Sequence, residues 1–181
     1  LSVLQSIQLV ERRVPMTEKN RESSRKGIYL LRDNYFRFWF RFVFENNDYI
    51  EQNEQEALLK EIILPGIDAF IGLAYEDVAL RWMSTQEQYR HCLFGRWWGG
   101  EDEIDGIGVE KASGRAVFAE VKWSKMGTSR VREELDKLRA KSAKVRLKRK
   151  SEEFVLVAKE LPAGLQLRPD EKAFSLGDIV K

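Results

Sequence analysis

Apolar residues follow two rhythms along this chain, steps of three and four in some stretches and alternation or short unbroken runs in others. The first rhythm is that of helices, the second that of strands. Leu4, Ile7 and Val10 open at helical spacing, and a polar, basic loop from Thr17 to Lys26 leads into the short strand signal Ile28-Tyr29-Leu30-Leu31. Asp33-Asn34 then forms a cap ahead of the aromatic block Tyr35–Phe42. From Asn53 to Met83 the pattern is helical with a break at Pro65-Gly66; Ile67, Phe70, Ile71, Ala74, Val78 and Trp82 mark the apolar face, and Glu76 lies at its edge. Strand-like segments follow at His91–Trp98, Glu103–Val109 and Arg115–Trp123, separated by Gly99-Gly100 and Ala112-Ser113-Gly114. Thr128 or Ser129 caps a further helix, expected to run to about Lys150 with Val131, Leu135, Leu138 and Val145 buried. Phe154–Ala158 is wholly apolar, as in a strand covered on both faces, and Phe174–Val180 adds a last edge strand.

The order helix, three strands, helix, strand predicts an α/β domain, a mixed β-sheet flanked by helices, over residues 45–181. Residues 1–44 show helix, charged loop and returning strand, the order of the second half of a winged helix-turn-helix, followed by an aromatic linker helix. Leu1 stands where a Met would begin a protein, and the chain opens in mid-helix, so we expect the C-terminal part of a longer protein.

Composition narrows the chemistry. With one cysteine, Cys92, and one histidine, His91, there is no intrachain disulfide, no Cys-based zinc cluster and no zinc site of two or three His ligands. That usage fits a reducing cytoplasm, and any catalytic metal must be held by carboxylates. No signal peptide opens the chain, no apolar run reaches the roughly 18 residues of a membrane-spanning helix, and no GxxxxGK[ST] phosphate loop is present. The net charge of +2 conceals a polarity: Val121–Lys150 carries twelve basic residues against three acids, and Glu45–Asp77 nine acids against one base. The basic stretch is a candidate surface for a polyanion.

The informative strings are Glu103-Ile104-Asp105 and Glu120-Val121-Lys122. Alternation puts Glu120 and Lys122 on one face of their strand, and the turn at Gly114 lets the preceding strand fold back so that Asp105 comes alongside Glu120. Two carboxylates with the Val121 carbonyl make an oxygen-only site suited to Mg²⁺ or Mn²⁺. Such a metal offsets the charge of a phosphodiester and lowers the pKa of a bound water, while Lys122 orients that water or stabilises the pentavalent phosphorus transition state. Glu76 is placed to support the site through a ligating water or a second ion.

The Asp105…Glu120-Val-Lys122 pattern, with fourteen residues between Asp105 and Glu120, resembles the PD-(D/E)xK nuclease superfamily, with Ile104 in place of the proline. The resemblance implies a restriction-endonuclease-like fold, an extra glutamate on the leading helix at Glu76, and the catalytic set Glu76, Asp105, Glu120 and Lys122. A closer resemblance covers almost the whole chain. Gly27-Ile-Tyr, Asp33-Asn-Tyr-Phe-Arg-Phe-Trp-Phe-Arg-Phe, Tyr75-Glu76, Gly95-Arg-Trp-Trp, Glu103-Ile-Asp and Glu120-Val-Lys-Trp123 are similar to the C-terminal domain of archaeal-type P-loop ATPases. It implies a P-loop ATPase module in the same full-length protein, joined through a winged helix.

The sequence thus points to a Mg²⁺-dependent DNA endonuclease, with a catalytically inactive DNA-binding or regulatory module of an ATPase as the alternative. Arg96, Lys125, Arg139, Lys141, Lys144 and Lys148 are the candidate nucleic-acid contacts. Arg96 has two options, a phosphate or a site carboxylate. Trp97, Trp98 and Trp123 either stack on bases or pack between sheet and helix, His91 is read as incidental, and the aromatic block is core or an interface, including one for a homo-oligomer.

Overall fold

The computed structural model describes residues 1–180. The chain forms two compact units: Leu1–Arg13 with Gly27–Ala74, and Val14–Lys26 with the chain from Tyr75 onward.

The first unit opens with α1 (Ser2–Ser6), β1 (Val10–Arg13) and β2 (Ile28–Leu31), the two strands pairing antiparallel with Val10 opposite Leu31. The helix expected to reach Val10 stops at Ser6, because Gln8 adopts φ of 61° and turns the chain into β1. α2 (Asn34–Phe38) starts where Asp33 accepts the Tyr35 N–H at 2.7 Å and continues through a wide turn at Trp39–Val43. α3 (Asn47–Glu51) and α4 (Gln55–Ala57) follow, then wide turns at Leu58–Ile63 that run directly into α5 (Leu64–Thr85). Pro65 was expected to break the helix. Instead the helical path runs on through Pro65, the wide turns of Leu58–Ile63 leading straight into α5. Phe38, Phe42 and Phe70 pack with ring centroids 5.1–5.7 Å apart, while Tyr35, Phe36, Phe40 and Phe44 stay exposed. The aromatic block therefore divides between core and surface.

The second unit is a five-stranded mixed sheet flanked by helices, with strand order β3-β4-β5-β6-β7. β3 (Leu93–Gly99), β4 (Asp102–Glu110) and β5 (Arg115–Lys125) form an antiparallel meander. α6 (Thr128–Ser142) follows, and β6 (Ser151–Glu160) and β7 (Glu171–Ser175) then add parallel to β5. α7 (Leu176–Ile179) closes the fold behind a Ser175–Asp178 capping box, so the expected edge strand Phe174–Val180 is shorter and begins earlier. α6 also ends before the predicted Lys150. Beyond it Arg149 donates to the Ser142, Val145 and Leu147 carbonyls, which ties the segment down as a loop.

Each face of the sheet has its own core. Ala116, Phe118, Phe154, Leu156 and Ala158 pack under Val131, Leu135 and Leu138 of α6. On the other face Val117, Ala119, Val121, Val155 and Val157 meet Tyr75, Ala79 and Met83 of α5. The buried line of α5 here is thus Tyr75–Ala79–Met83, rotated from the predicted stripe, and Val78 is exposed. Small residues on the sheet explain the rotation. Leu80 reaches into the space over Gly106, where a Cβ would come within 2.2 Å of it, and the Tyr75 hydroxyl donates to the Ala158 carbonyl at 3.0 Å. Tyr75 buried on this line leaves Glu76 at its border.

Candidate metal centre

β5 supplies two of the central groups. Its alternation turns Ala116 and Phe118 toward α6, and with them Glu120 and Lys122. Glu120 is buried and accepts from Lys122 Nζ at 2.6 Å. From α6 it also accepts from Lys141 Nζ, at 3.2 Å on one oxygen and 3.4 Å on the other.

β4 supplies the third. Its register with β5 extends to Gly106 opposite Ala119, and at the next residue the ladder opens. There Asp105, also buried, uses Oδ2 to accept the Val121 N–H at 2.8 Å, so a side chain takes the place of the strand carbonyl. The N–H and C=O of one strand residue project to the same edge, which directs the Val121 carbonyl to the edge where Asp105 sits.

These positions shape the electrostatics. Burial, then the negative charges of Glu120 and Glu76, push the Asp105 carboxyl up to about 7, against the pull of the Val121 N–H and Lys122. Burial by itself lowers Lys122, but its bond to Glu120 and the charges of Glu120, Asp105 and Glu134 outweigh it and hold the ammonium above its usual range.

Glu76, on α5, is engaged by Arg96 of β3. One guanidinium nitrogen donates to Glu76 and the other to Asp77 Oδ1 at 2.8 Å. Burial pulls the guanidinium down, and the two carboxylates more than restore it. Of the two roles open to Arg96 in the sequence, this structure has the carboxylate one.

The other candidate phosphate contacts are mostly paired too. Lys125 meets Glu160 at 2.9 Å and Lys144 meets Asp102 at 2.7 Å. Arg139 bonds Asp170 at 2.8 Å and Glu171 at 3.2 Å, with its guanidinium over the Phe154 ring. Lys148 is exposed, on a loop that descends to the Gly114 turn, where the Lys150 N–H donates to the Gly114 carbonyl at 2.8 Å. Ser151 pairs with Arg115 there. At about 3.3 Å per strand residue, the five steps from Arg115 to Glu120 put Lys148 at the opposite end of the sheet from the carboxylates. Trp97 is buried in the core under α6, Trp123 lies edge-on to Tyr75 with the Lys159 ammonium over its ring, and His91 is exposed beside Arg90.

Two residues at the site were not recognised from sequence in the roles they have here. Glu134 is buried on α6 and paired with Arg130 at 3.1 Å, and Lys141, a phosphate-contact candidate in the sequence, is bonded to Glu120. Both lie on the line Val131-Glu134-Leu135-Leu138-Lys141 at steps of three and four. Charged residues intruding on an apolar stripe were the readable signal.

Among the described residues, no three Asp, Glu, His or Cys side chains form a ready-made metal cage. Asp105 and Glu120 nevertheless fit a hard dication. They are buried like charges, Asp105 is destabilised as an anion by its setting, and Mg²⁺ commonly takes only one or two carboxylates with water completing its shell.

Residues 39–138 match the model of the family DUF234, described as archaeal and bacterial proteins of unknown function. The uncharacterised protein MJECL04 of Methanocaldococcus jannaschii is 29% identical over 166 residues, 89% of this chain and 37% of that protein. The chain therefore spans a little over a third of the length of this relative. No solved structure matches the chain. Among the described residues, no helix is long and apolar enough to cross a membrane.

Proposed function

We propose that this chain, which belongs to the DUF234 family, carries a restriction-endonuclease-like centre for metal-dependent hydrolysis of phosphodiester bonds, with DNA as substrate. The observation behind this reading is that Asp105 bonds the Val121 N–H, one residue past Glu120 and close enough to feel its charge, where β4 and β5 part, with Lys122 bonded to Glu120. The order α5-β3-β4-β5-α6-β6, an antiparallel meander followed by a helix and a parallel strand, supports it as well.

In this reading Asp105, Glu120 and the Val121 carbonyl would hold Mg²⁺ or Mn²⁺, and the chemistry supplied by such an ion would be to offset phosphodiester charge and lower the pKa of water. Asp105 is fixed by the Val121 N–H through one oxygen, leaving the other for a ligand. Lys122, anchored on Glu120, donates hydrogen bonds to the attacking water or to the phosphoryl oxygens as charge builds on them. Glu76 acts from the border of the site, and Arg96 orients it. On the strength of the sequence resemblance, we place a P-loop ATPase module in the same full-length protein.

A second reading draws on the state of the carboxylates. Glu120 is held by two lysines and Glu76 by an arginine, as in a nucleic-acid-binding or regulatory module that has the fold without cleavage. Cleavage of labelled single- and double-stranded DNA and RNA, with Mn²⁺ or EDTA, separates the two. The nuclease reading predicts Mn²⁺-dependent products, reduced about 100-fold or more in Lys122→Met. Tight binding without products from any substrate would favour the second reading and contradict the first.

A further inference from the structure

Two ammonium groups converge on one buried carboxylate, and they do so unequally. Lys122 Nζ sits 2.6 Å from Glu120 Oε1, whereas Lys141 Nζ spans both Glu120 oxygens at 3.2 and 3.4 Å. Lys122 is on the same strand and also sits in the field of Asp105 and Glu134, both of which stabilise its charge. Lys141 comes from α6, has a side chain one-quarter exposed, and makes no ion pair other than that with Glu120 among the described residues. Arg139, two positions earlier, is turned toward β7, where it bonds Asp170 and Glu171. Lys141 is therefore the cation α6 contributes to Glu120, and it is the more weakly held of the two.

We infer that Lys141 is a displaceable counter-ion. It neutralises Glu120 while no metal is bound, gives that carboxylate up to a dication, and then presents its ammonium at the α6 rim of the cleft to a backbone phosphate of the nucleic acid. The inference rests on the metal-centre reading above. A dication on Glu120 repels both ammoniums at close range in a buried setting, so the more weakly held of the two is the one displaced. The longer, bifurcated contact, made from another element, is the one that yields. Lys141 is then a positioning residue that couples metal entry to phosphate binding, and its cost is a weaker apparent metal affinity than Asp105 and Glu120 would otherwise give.

Calorimetric titration of the metal-free protein with Mn²⁺ tests this, using wild type, Lys141→Met and Lys150→Met. Lys150→Met removes the same charge at the Gly114 end of the sheet, so it controls for the overall field. Losing one competing, partly buried ion pair is expected to tighten Mn²⁺ binding by about threefold to tenfold in Lys141→Met. Lys150→Met should stay within about twofold of wild type, because screening in moderate salt removes its distant influence. In parallel, the affinity of the Mn²⁺-loaded protein for a short DNA duplex falls in Lys141→Met. A tighter metal site with weaker DNA binding is a combination that simple loss of packing does not produce. Lys141→Arg, which keeps the charge and so its competition for Glu120, provides a second variant, in which Mn²⁺ affinity stays near wild type. If wild type binds Mn²⁺ and Lys141→Met binds it equally or more weakly, the counter-ion role is wrong and the metal centre stands. If wild type binds no Mn²⁺, the metal-centre reading fails and the inference falls with it.

Discussion

Asp105 bears the electrostatic cost of the site. Glu120 has two ammonium partners, but Asp105 has the Val121 N–H and only the more distant charge of Lys122 against burial and two neighbouring anions. A carboxylate in that position destabilises the folded protein unless a cation shares it. Asp105→Asn keeps an oxygen for the Val121 N–H and removes the charge. The variant is expected to be more stable than wild type without metal, by about 1–2 kcal/mol, and to lose the stabilisation that Mn²⁺ gives wild type. Thermal denaturation of both proteins with EDTA and with Mn²⁺ measures this. A metal-free Asp105→Asn that melts below wild type would mean the carboxylate is stabilised by its surroundings and needs no cation. The two charges on one face of a strand, Glu120 and Lys122, were legible in sequence because alternation is a local rule. The Asp105–Val121 bond was not, since it exists only where the β4–β5 ladder opens, and no local rule places that point.

At the scale of elements, α6 does two jobs with two sides. One side carries Glu134 and Lys141 toward β5, and the other fastens the helix to β7 through Glu171, whose side chain is fully buried. Glu171 accepts from Arg132 at 2.7 Å, Arg139 at 3.2 Å, the Arg168 N–H at 2.9 Å and the Arg168 side chain at 3.3 Å. Burial raises its pKa, but the Arg168 N–H, Arg132 and Arg139 outweigh that and hold it below the usual carboxylate range. Its stabilising contribution is therefore complete above the unfolded value of 4.5 and is lost as pH falls through the lower folded value. Glu171→Gln is expected to cost roughly 2–4 kcal/mol at neutral pH and to flatten the acid limb of the stability curve below 4.5. Denaturant melts across pH 3–8 check this, and an unchanged acid limb would show that Glu171 is not the latch. The elements themselves were largely readable. Strands β2 to β6 and the two long helices lie near their predicted places, because their periodicities are strong. The rotation of α5 was not readable. Of the apolar stripe set by Ile67 and Phe70, Trp82 packs on this core as expected but Val78 is exposed, and the space over Gly106 and Ala119 brings Tyr75, Ala79 and Met83 inward. Pro65 misled for a similar reason, since wide turns directly before it let the helical path continue past it.

Across the whole molecule the basic residues are less available than the charge count suggests. Of the six candidate phosphate contacts, Arg96, Lys125, Arg139, Lys141 and Lys144 are each paired with a carboxylate, and Lys148 lies at the far end of the sheet. Six free phosphate contacts would give a salt slope of about −5 for duplex DNA. With most of these cations already neutralised, a slope shallower than about −3 is expected from the same relation. Binding isotherms between 50 and 200 mM salt decide between them, and a slope near −5 would show that the ion pairs open to the nucleic acid. The charge run itself was legible in the sequence, but its internal pairing was not, because the partners Asp102, Glu160 and Asp170 come from other elements. The division of the chain was hidden for the same reason. Segment 14–26 belongs with the sheet, where the Met16 N–H donates to the Arg96 carbonyl at 2.8 Å, although the strands on either side of it belong to the other unit.

Phosphodiester hydrolysis here requires that Asp105 and Glu120 form a working metal centre. The direct measurement is nicking of supercoiled plasmid by wild type and Asp105→Ala in parallel, with Mn²⁺ and with EDTA. Mn²⁺-dependent conversion to open-circular DNA is expected for wild type, with a loss of about 100-fold or more in the variant. Nicking that persists at the wild-type rate in Asp105→Ala, or wild type that binds the plasmid with Mn²⁺ present and never nicks it, would contradict it.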